Sequence, residues 1–215
     1  NMENLPYDDS NIQDILRYSN NLIGLTFWDV LENSLVCSHE DNIVSEEVST
    51  YNNINRKGGL GNLLEEHYFY YKVNNDSIPD FYKVGMELKV TPYETTKRGK
   101  IRAGERLVIT MIPNDRPIET EFKGSHLESK MQLILMIWYL RDKSISRMEY
   151  RIDYVNLFDL YSDICKKDLE IILEDYKIIV DKITSGNAHK LSEGDTKYLG
   201  ACTKGSTAKK SLQPQ

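Results

Sequence analysis

Pro79-Asp80 is followed, after six intervening residues, by Glu87-Leu88-Lys89. The residues around the second group alternate. Val84, Met86, Leu88 and Val90 are apolar, and Gly85, Glu87, Lys89 and Thr91 fall between them. A period of two predicts a strand, which puts Glu87 and Lys89 on one polar face. Asp80 stands just before that strand and reaches the same point if the chain bends between them. Two carboxylates there can hold a hard divalent cation such as Mg²⁺, which prefers oxygen ligands and keeps several waters. A lysine beside them can orient an attacking water and stabilise charge on a phosphate oxygen. That is the chemistry of metal-assisted phosphodiester hydrolysis. The competing reading is a solvated strand face with an ordinary surface ion pair, worth little. Two features favour chemistry. The strand's other face is strongly apolar, as expected of a strand central in a core. A basic tip follows at residues 97–106, with Lys97, Arg98 and Lys100 able to meet DNA phosphates.

The surrounding elements must position these groups. Asp9 or Ser10 is the expected cap of a first helix carrying Ile12, Ile15, Leu16 and Ile23. Thr26 and Asp29 start a second, with Phe27, Val30 and Leu31 apolar. Residues 36–56 read as a polar surface loop. Lys57 to Tyr71 reads as a helix with Gly58, Gly59 and Gly61 crowding its start and His67 on its apolar face. No Gly-Lys-Ser/Thr follows these glycines, so they are not a phosphate loop. Tyr68, Phe69, Tyr70 and Tyr71 read as packing residues. Residues 93–104 read as a basic turn, and Arg106 to Ile112 as the hairpin partner of the first strand. Ser125 to Lys130 reads as a short helix, Leu133 to Tyr139 as a buried strand, and Met148 to Val155 as another. Lys166 to Ile183 reads as a long amphipathic helix stopped at Ser185-Gly186.

Beyond these readings, four ordered blocks carry a family resemblance. Gly85-Met86-Glu87-Leu88-Lys89-Val90-Thr91-Pro92 resembles the catalytic strand of the MutH-like family of GATC-specific endonucleases. Lys57-Gly58-Gly59-Leu60-Gly61-Asn62-Leu63-Leu64-Glu65 resembles the family's helix bearing a further active-site glutamate. Ser125-His126-Leu127-Glu128-Ser129-Lys130 resembles its Ser-His segment ending in a functional lysine. The stretch from Gly194 to Gly205 is most similar to the branch of type II restriction enzymes of the Sau-three-A type. The resemblance implies an α/β chain (α+β, with a mixed sheet) of restriction-endonuclease-like fold, in two lobes around a DNA-binding cleft. It implies that Asp80, Glu87 and the Leu88 carbonyl bind Mg²⁺ and that Lys89 positions the attacking water. Glu65 would assist at the metal, and Lys130 would act near the scissile phosphate. Lys57 and Lys204 become candidate DNA contacts. His126 reads as a structural hydrogen-bonding residue. The implied activity is double-strand cleavage at GATC leaving 5′-phosphates, with two copies of the chain on a two-fold symmetric site. A mismatch-repair nickase and a non-catalytic DNA-binding effector module are the alternatives, and the intact Asp80, Glu87 and Lys89 weigh against the second.

Composition sets outer bounds. The 215 residues, 40% of them apolar, suffice for one sizeable core. Net charge is −6, from 27 basic and 33 acidic residues, which taken whole argues against a nucleic-acid binder. The acidity is local, however. Residues 1–50 hold ten acids and Arg17, a net of −9, so residues 51–215 carry +3. The chain is therefore expected to be a single endonuclease domain. Residues 1–56 would be its acidic helical segment and loop, and 57–215 its catalytic core and basic tail. In the restriction branch such a chain is the catalytic half of a longer protein. Cys37, Cys165 and Cys202 show neither zinc spacing nor a disulfide framework, as suits a reducing cytoplasm. The longest apolar stretch, Met131 to Leu140, is too short for a bilayer. The first residues carry no basic-then-apolar secretory pattern, so no membrane partner is expected.

Overall fold

The computed structural model describes residues 4–35, 50–52, 58–71, 78–112 and 115–201. Lys57, Lys204, Cys37, Cys202 and the acidic run at 40–47 lie outside the described residues. The chain divides into two compact units, one of Asn1–Val108 with Ile134–Phe158, the other of Ile109–Leu133 with Asp159–Gln215.

The first unit is built on a mixed sheet. Its strands are β1 (Glu87–Thr95), β2 (Ile101–Ala103), β3 (Leu133–Leu140) and β4 (Ile152–Asp159), in the order β2-β1-β3-β4. β1 runs antiparallel to β2, with Tyr93 opposite Ala103. It runs parallel to β3, from Glu87 opposite Ile134 to Tyr93 opposite Leu140. Interior strands are covered on both faces, and their side chains show it. Leu88, Ile134, Leu135 and Ile137 are buried, and so are Glu87 and Thr91. The polar face of β1 is therefore not a solvated one. Val84 lies before the strand, in a turn.

Among the described residues this unit carries the helices α1 (Ile12–Asn20), α2 (Phe27–Leu35) and α3 (Gly59–His67). The cap of α1 is Asn11, not Asp9 or Ser10. Its side chain accepts the Asp14 N–H at 3.1 Å, while Asp8 takes up the Ser10 N–H and hydroxyl. Leu22 rather than Ile23 enters the core behind α1; Ile23 is about half exposed. α2 starts as expected, with Asp29 N–H on Thr26 Oγ1 at 3.0 Å and Thr26 N–H on Asp29 Oδ2 at 2.9 Å. α3 is shorter than the spacing predicts, ending at His67, and Tyr70 adopts a left-handed φ of 57°. α2 packs on α3, and α3 packs on β1. Phe27, Leu31, Leu60, Leu63 and Leu64 fill this layer. Burying each such side chain contributes about 1.5–3 kcal/mol. Tyr51, read from the sequence as part of a loop, is helical and buried.

The hairpin differs from expectation. Thr96 N–H meets Lys100 O at 2.7 Å and Gly99 N–H meets Thr96 O at 2.8 Å, so the turn closes at once. Pairing therefore begins at Ile101, within the stretch read as a turn. It stops at Gly104, whose N–H donates to Pro92 O at 2.9 Å. Arg106 to Ile112 forms no strand, because the chain passes into the second unit at Ile109.

The second unit carries α4 (His126–Met131) and α5 (Lys166–Thr184). Ser125 caps α4 by accepting the Glu128 N–H at 3.0 Å. α5 buries Ile172, Tyr176, Ile179 and Val180. It ends where the sequence predicts, at Ser185, with Gly186 at φ 77°.

Candidate active site

The six residues between Asp80 and Glu87 form a clamp. Phe81 N–H donates to Met86 O at 2.8 Å, and Met86 N–H returns to Phe81 O at 3.2 Å. This antiparallel bridge folds residues 82–85 into a turn, and Gly85 sits at φ 65°, where a side chain would be strained. One step outward from the bridge stand Asp80 and Glu87. Leu88 N–H donates to Asp80 Oδ2 at 2.9 Å, and Asp80 N–H donates to Glu87 Oε2 at 3.3 Å. Lys89, two residues along the same face of β1, places Nζ 3.4 Å from Glu87 Oε1. The Glu87 side chain is only 5% exposed and that of Lys89 20%, so this is not a surface ion pair.

α3 brings Glu65 to the same place. Burial, then the charges of Asp80 and Glu87, push its carboxyl up to about 8, against which Lys89 acts. Three carboxyl groups thus share one field around one ammonium. A structure that collects like charges in this way holds one of them protonated, or gathers them around a cation. Among the described residues no three such side chains form a closed metal cage. Mg²⁺ does not need one, since it is held by one or two carboxylates with water and substrate phosphate completing the shell. Asp80 and Glu87 meet that requirement.

The other sequence-derived candidates are carried by other elements. Lys97, Arg98 and Lys100 are exposed at the tip of the β1–β2 hairpin. Lys130 is buried in the last turn of α4, in the second unit. His126 bonds Glu119 through Nδ1 and through its backbone N–H, as a structural role requires. His67 Nδ1 meets Ser34 Oγ at 2.9 Å. Sequence reasoning missed one residue beside the carboxyls. Among the described residues the buried Tyr71 hydroxyl has no hydrogen-bond partner, and burial followed by the charges of Asp80, Glu65 and Glu87 raises its pKa. Its place in a run of aromatics gave no signal of this.

The second unit holds a polar element of its own. Asp175, buried on α5, accepts the backbone N–H groups of Lys197 at 3.0 Å, Tyr198 at 2.6 Å and Leu199 at 3.0 Å. Burial opposes ionisation, but these donors hold its carboxyl below the ordinary value. The block from Gly194 onward is therefore tied to α5 by one carboxylate.

Comparison with known proteins agrees with this geometry. The family described as DNA mismatch repair enzyme MutH matches residues 69–175, which contain Asp80, Glu87, Lys89 and Lys130. The chain is also 36% identical over 152 residues to the type II restriction enzyme Sau3AI of Staphylococcus aureus. That match covers 71% of this chain, and the chain spans 30% of the relative's length. Asp80 paired with Glu87 and Lys89 of β1, the mixed sheet behind them and both similarities lead to one conclusion: the chain belongs to the MutH-like family.

Proposed function

We propose that this chain is the catalytic part of a Mg²⁺-dependent DNA endonuclease of the restriction type, acting at GATC sites in double-stranded DNA. The observation that carries the reading is the meeting of Asp80, Glu87 and Lys89 in a nearly buried setting. Asp80, Glu87 and the Leu88 carbonyl are the residues that would hold the metal. When bound, Mg²⁺ supplies Lewis acidity at the phosphate and a template for in-line attack. Lys89, held by Glu87, orients the attacking water and stabilises charge on a phosphate oxygen. Glu65 adds a carboxylate at the same locus, and Lys130 a positive charge toward the scissile phosphate. Lys57, Lys97, Arg98, Lys100 and Lys204 bind backbone phosphates, which fixes register without reading bases. The products carry 5′-phosphates. Two copies of the chain act on the symmetric site, since each strand needs its own centre. Among the described residues no helix is long and apolar enough to cross a membrane. The reading carries with it a cytoplasmic location, where such an enzyme would meet DNA.

The test uses two linear duplexes of equal composition, one with a single GATC, incubated with Mg²⁺ and this chain or a longer one containing it. Cutting of both strands of the GATC duplex alone, with 5′-phosphate ends, is expected. Cutting of one strand only would move the assignment to a repair nickase. Binding without cutting by either chain would leave an effector module.

A further inference from the structure

The basic tip of the β1–β2 hairpin stands on a short, exposed strand. Ile101, Arg102 and Ala103, the whole of β2, face solvent, and they pair with Thr95, Glu94 and Tyr93 of β1. A two-stranded ribbon of this kind is marginal unless something braces it. The brace lies at its base. Arg141 directly follows β3, and its backbone N–H donates to Tyr93 O at 3.0 Å. Its guanidinium spans both arms of the hairpin. Nη1 donates to Glu94 Oε1 of β1 at 3.4 Å, and Nη2 donates to Glu105 Oε2, just past β2, at 3.0 Å. The other oxygen of Glu94 accepts Arg102 Nη2 at 3.2 Å. Gly104 leaves room for the fork, since a Cβ there would stand 3.3 Å from Arg141 Nη2 and 3.1 Å from Pro92 O.

Two carboxylates at this base would oppose an approaching phosphate. Arg141 and Arg102 offset them, which leaves Lys97, Arg98 and Lys100 as the excess charge of the hairpin. Ion pairs this exposed contribute little singly and more when linked in a network. A planar guanidinium offers its donors in a fixed fork to two acceptors at once, which an ammonium does not. We propose that Arg141 is a positioning residue for DNA binding: by tying Glu94 to Glu105 it fixes the direction in which the hairpin presents Lys97, Arg98 and Lys100 to backbone phosphates. The inference rests on the DNA-contact reading of that tip and deepens it.

The test is a double-mutant cycle in the full chain. Arg141→Gln is combined with replacement of Lys97, Arg98 and Lys100 by alanine. Affinity for a GATC duplex without Mg²⁺ is read by fluorescence anisotropy at several salt concentrations. With the tip intact, Arg141→Gln should weaken binding roughly threefold to tenfold, as for neighbouring residues that act together. The slope of log affinity against log salt should fall by about 1. With the tip already replaced, Arg141→Gln should change nothing further. Arg141→Lys, which keeps the charge and loses the fork, should bind as weakly as Arg141→Gln. Thermal unfolding of both variants should stay near the wild-type temperature. An equal loss from Arg141→Gln in both backgrounds overturns the inference, because the guanidinium would then contact DNA by itself. Wild-type binding by Arg141→Gln overturns it too, as does full rescue by Arg141→Lys or a collapse of thermal stability. If alanine at the three tip residues leaves affinity unchanged, the tip is not a DNA contact and that reading fails first, so the two failures are distinguishable.

Discussion

Glu65 shows how one residue reports on the whole site. Its carboxyl is raised from 4.5 to about 8 by burial and by Asp80 and Glu87. In the metal-free protein it keeps its proton at neutral pH, whereas the unfolded chain loses that proton above about 4.5. The folded state therefore binds more protons across this window, and stability falls as pH rises through it. Below 4.5 no such loss exists, and above about 8 it is complete. Glu65→Gln removes the effect. The variant should match the wild type near pH 4 and exceed it at pH 8.5, by on the order of a few kcal/mol. Urea denaturation across pH measures this. Parallel pH curves for the two proteins would show that Glu65 does not share the field of Asp80 and Glu87.

Elements explain why some of this could be read from sequence and some could not. Alternation around Glu87 located β1, and the helical spacing of Leu60, Leu63 and Leu64 located α3, because burial imposes those periods directly. Alternation alone allows the charged face of β1 to be solvated or covered, and Glu87 and Thr91 are in fact buried. Parallel pairing with β3 is a long-range event that local alternation does not encode. The approach of Asp80 to Glu87 likewise depends on the Phe81–Met86 bridge, which no residue type announces except Gly85. Gly85→Ala tests that bridge. It should lower stability by about 1–2 kcal/mol at a left-handed position and slow cleavage further by misplacing Asp80. Normal cleavage by a stable variant would show that the turn does not align the site. Asp175 was also invisible in the sequence, since its partners lie more than twenty residues away on the backbone. Asp175→Ala should strip protection from the amides of Lys197, Tyr198 and Leu199 in hydrogen exchange and cost about 1–3 kcal/mol. Because the Asp175 carboxyl is held low, its contribution is present above pH 3.8 and is lost as pH falls through the lower folded value. Retained protection in Asp175→Ala would deny the tie.

At the scale of the molecule, charge is distributed rather than summed. A net of −6 would repel DNA if it were spread evenly, but ten of the 33 acids lie in residues 1–50. The exposed bases Lys97, Arg98 and Lys100 crowd one hairpin tip. Replacing all three by alanine should weaken duplex binding equally for cognate and unrelated sequences. It should also reduce the slope of log affinity against log salt by about 2–3, the amount for three lost phosphate contacts. An unchanged slope would place the DNA elsewhere. The family, the sheet and the carboxylate pair all converge on Lys89, whose ammonium stands 3.4 Å from Glu87 Oε1. The decisive measurement is relaxation and linearisation of supercoiled plasmid in Mg²⁺ by wild type and Lys89→Ala, with folding of both verified by circular dichroism. The account predicts cleavage by the wild type, abolished by a chelator, and a rate lower by roughly 10²–10⁴ in Lys89→Ala. Cleavage by Lys89→Ala at the wild-type rate would contradict it.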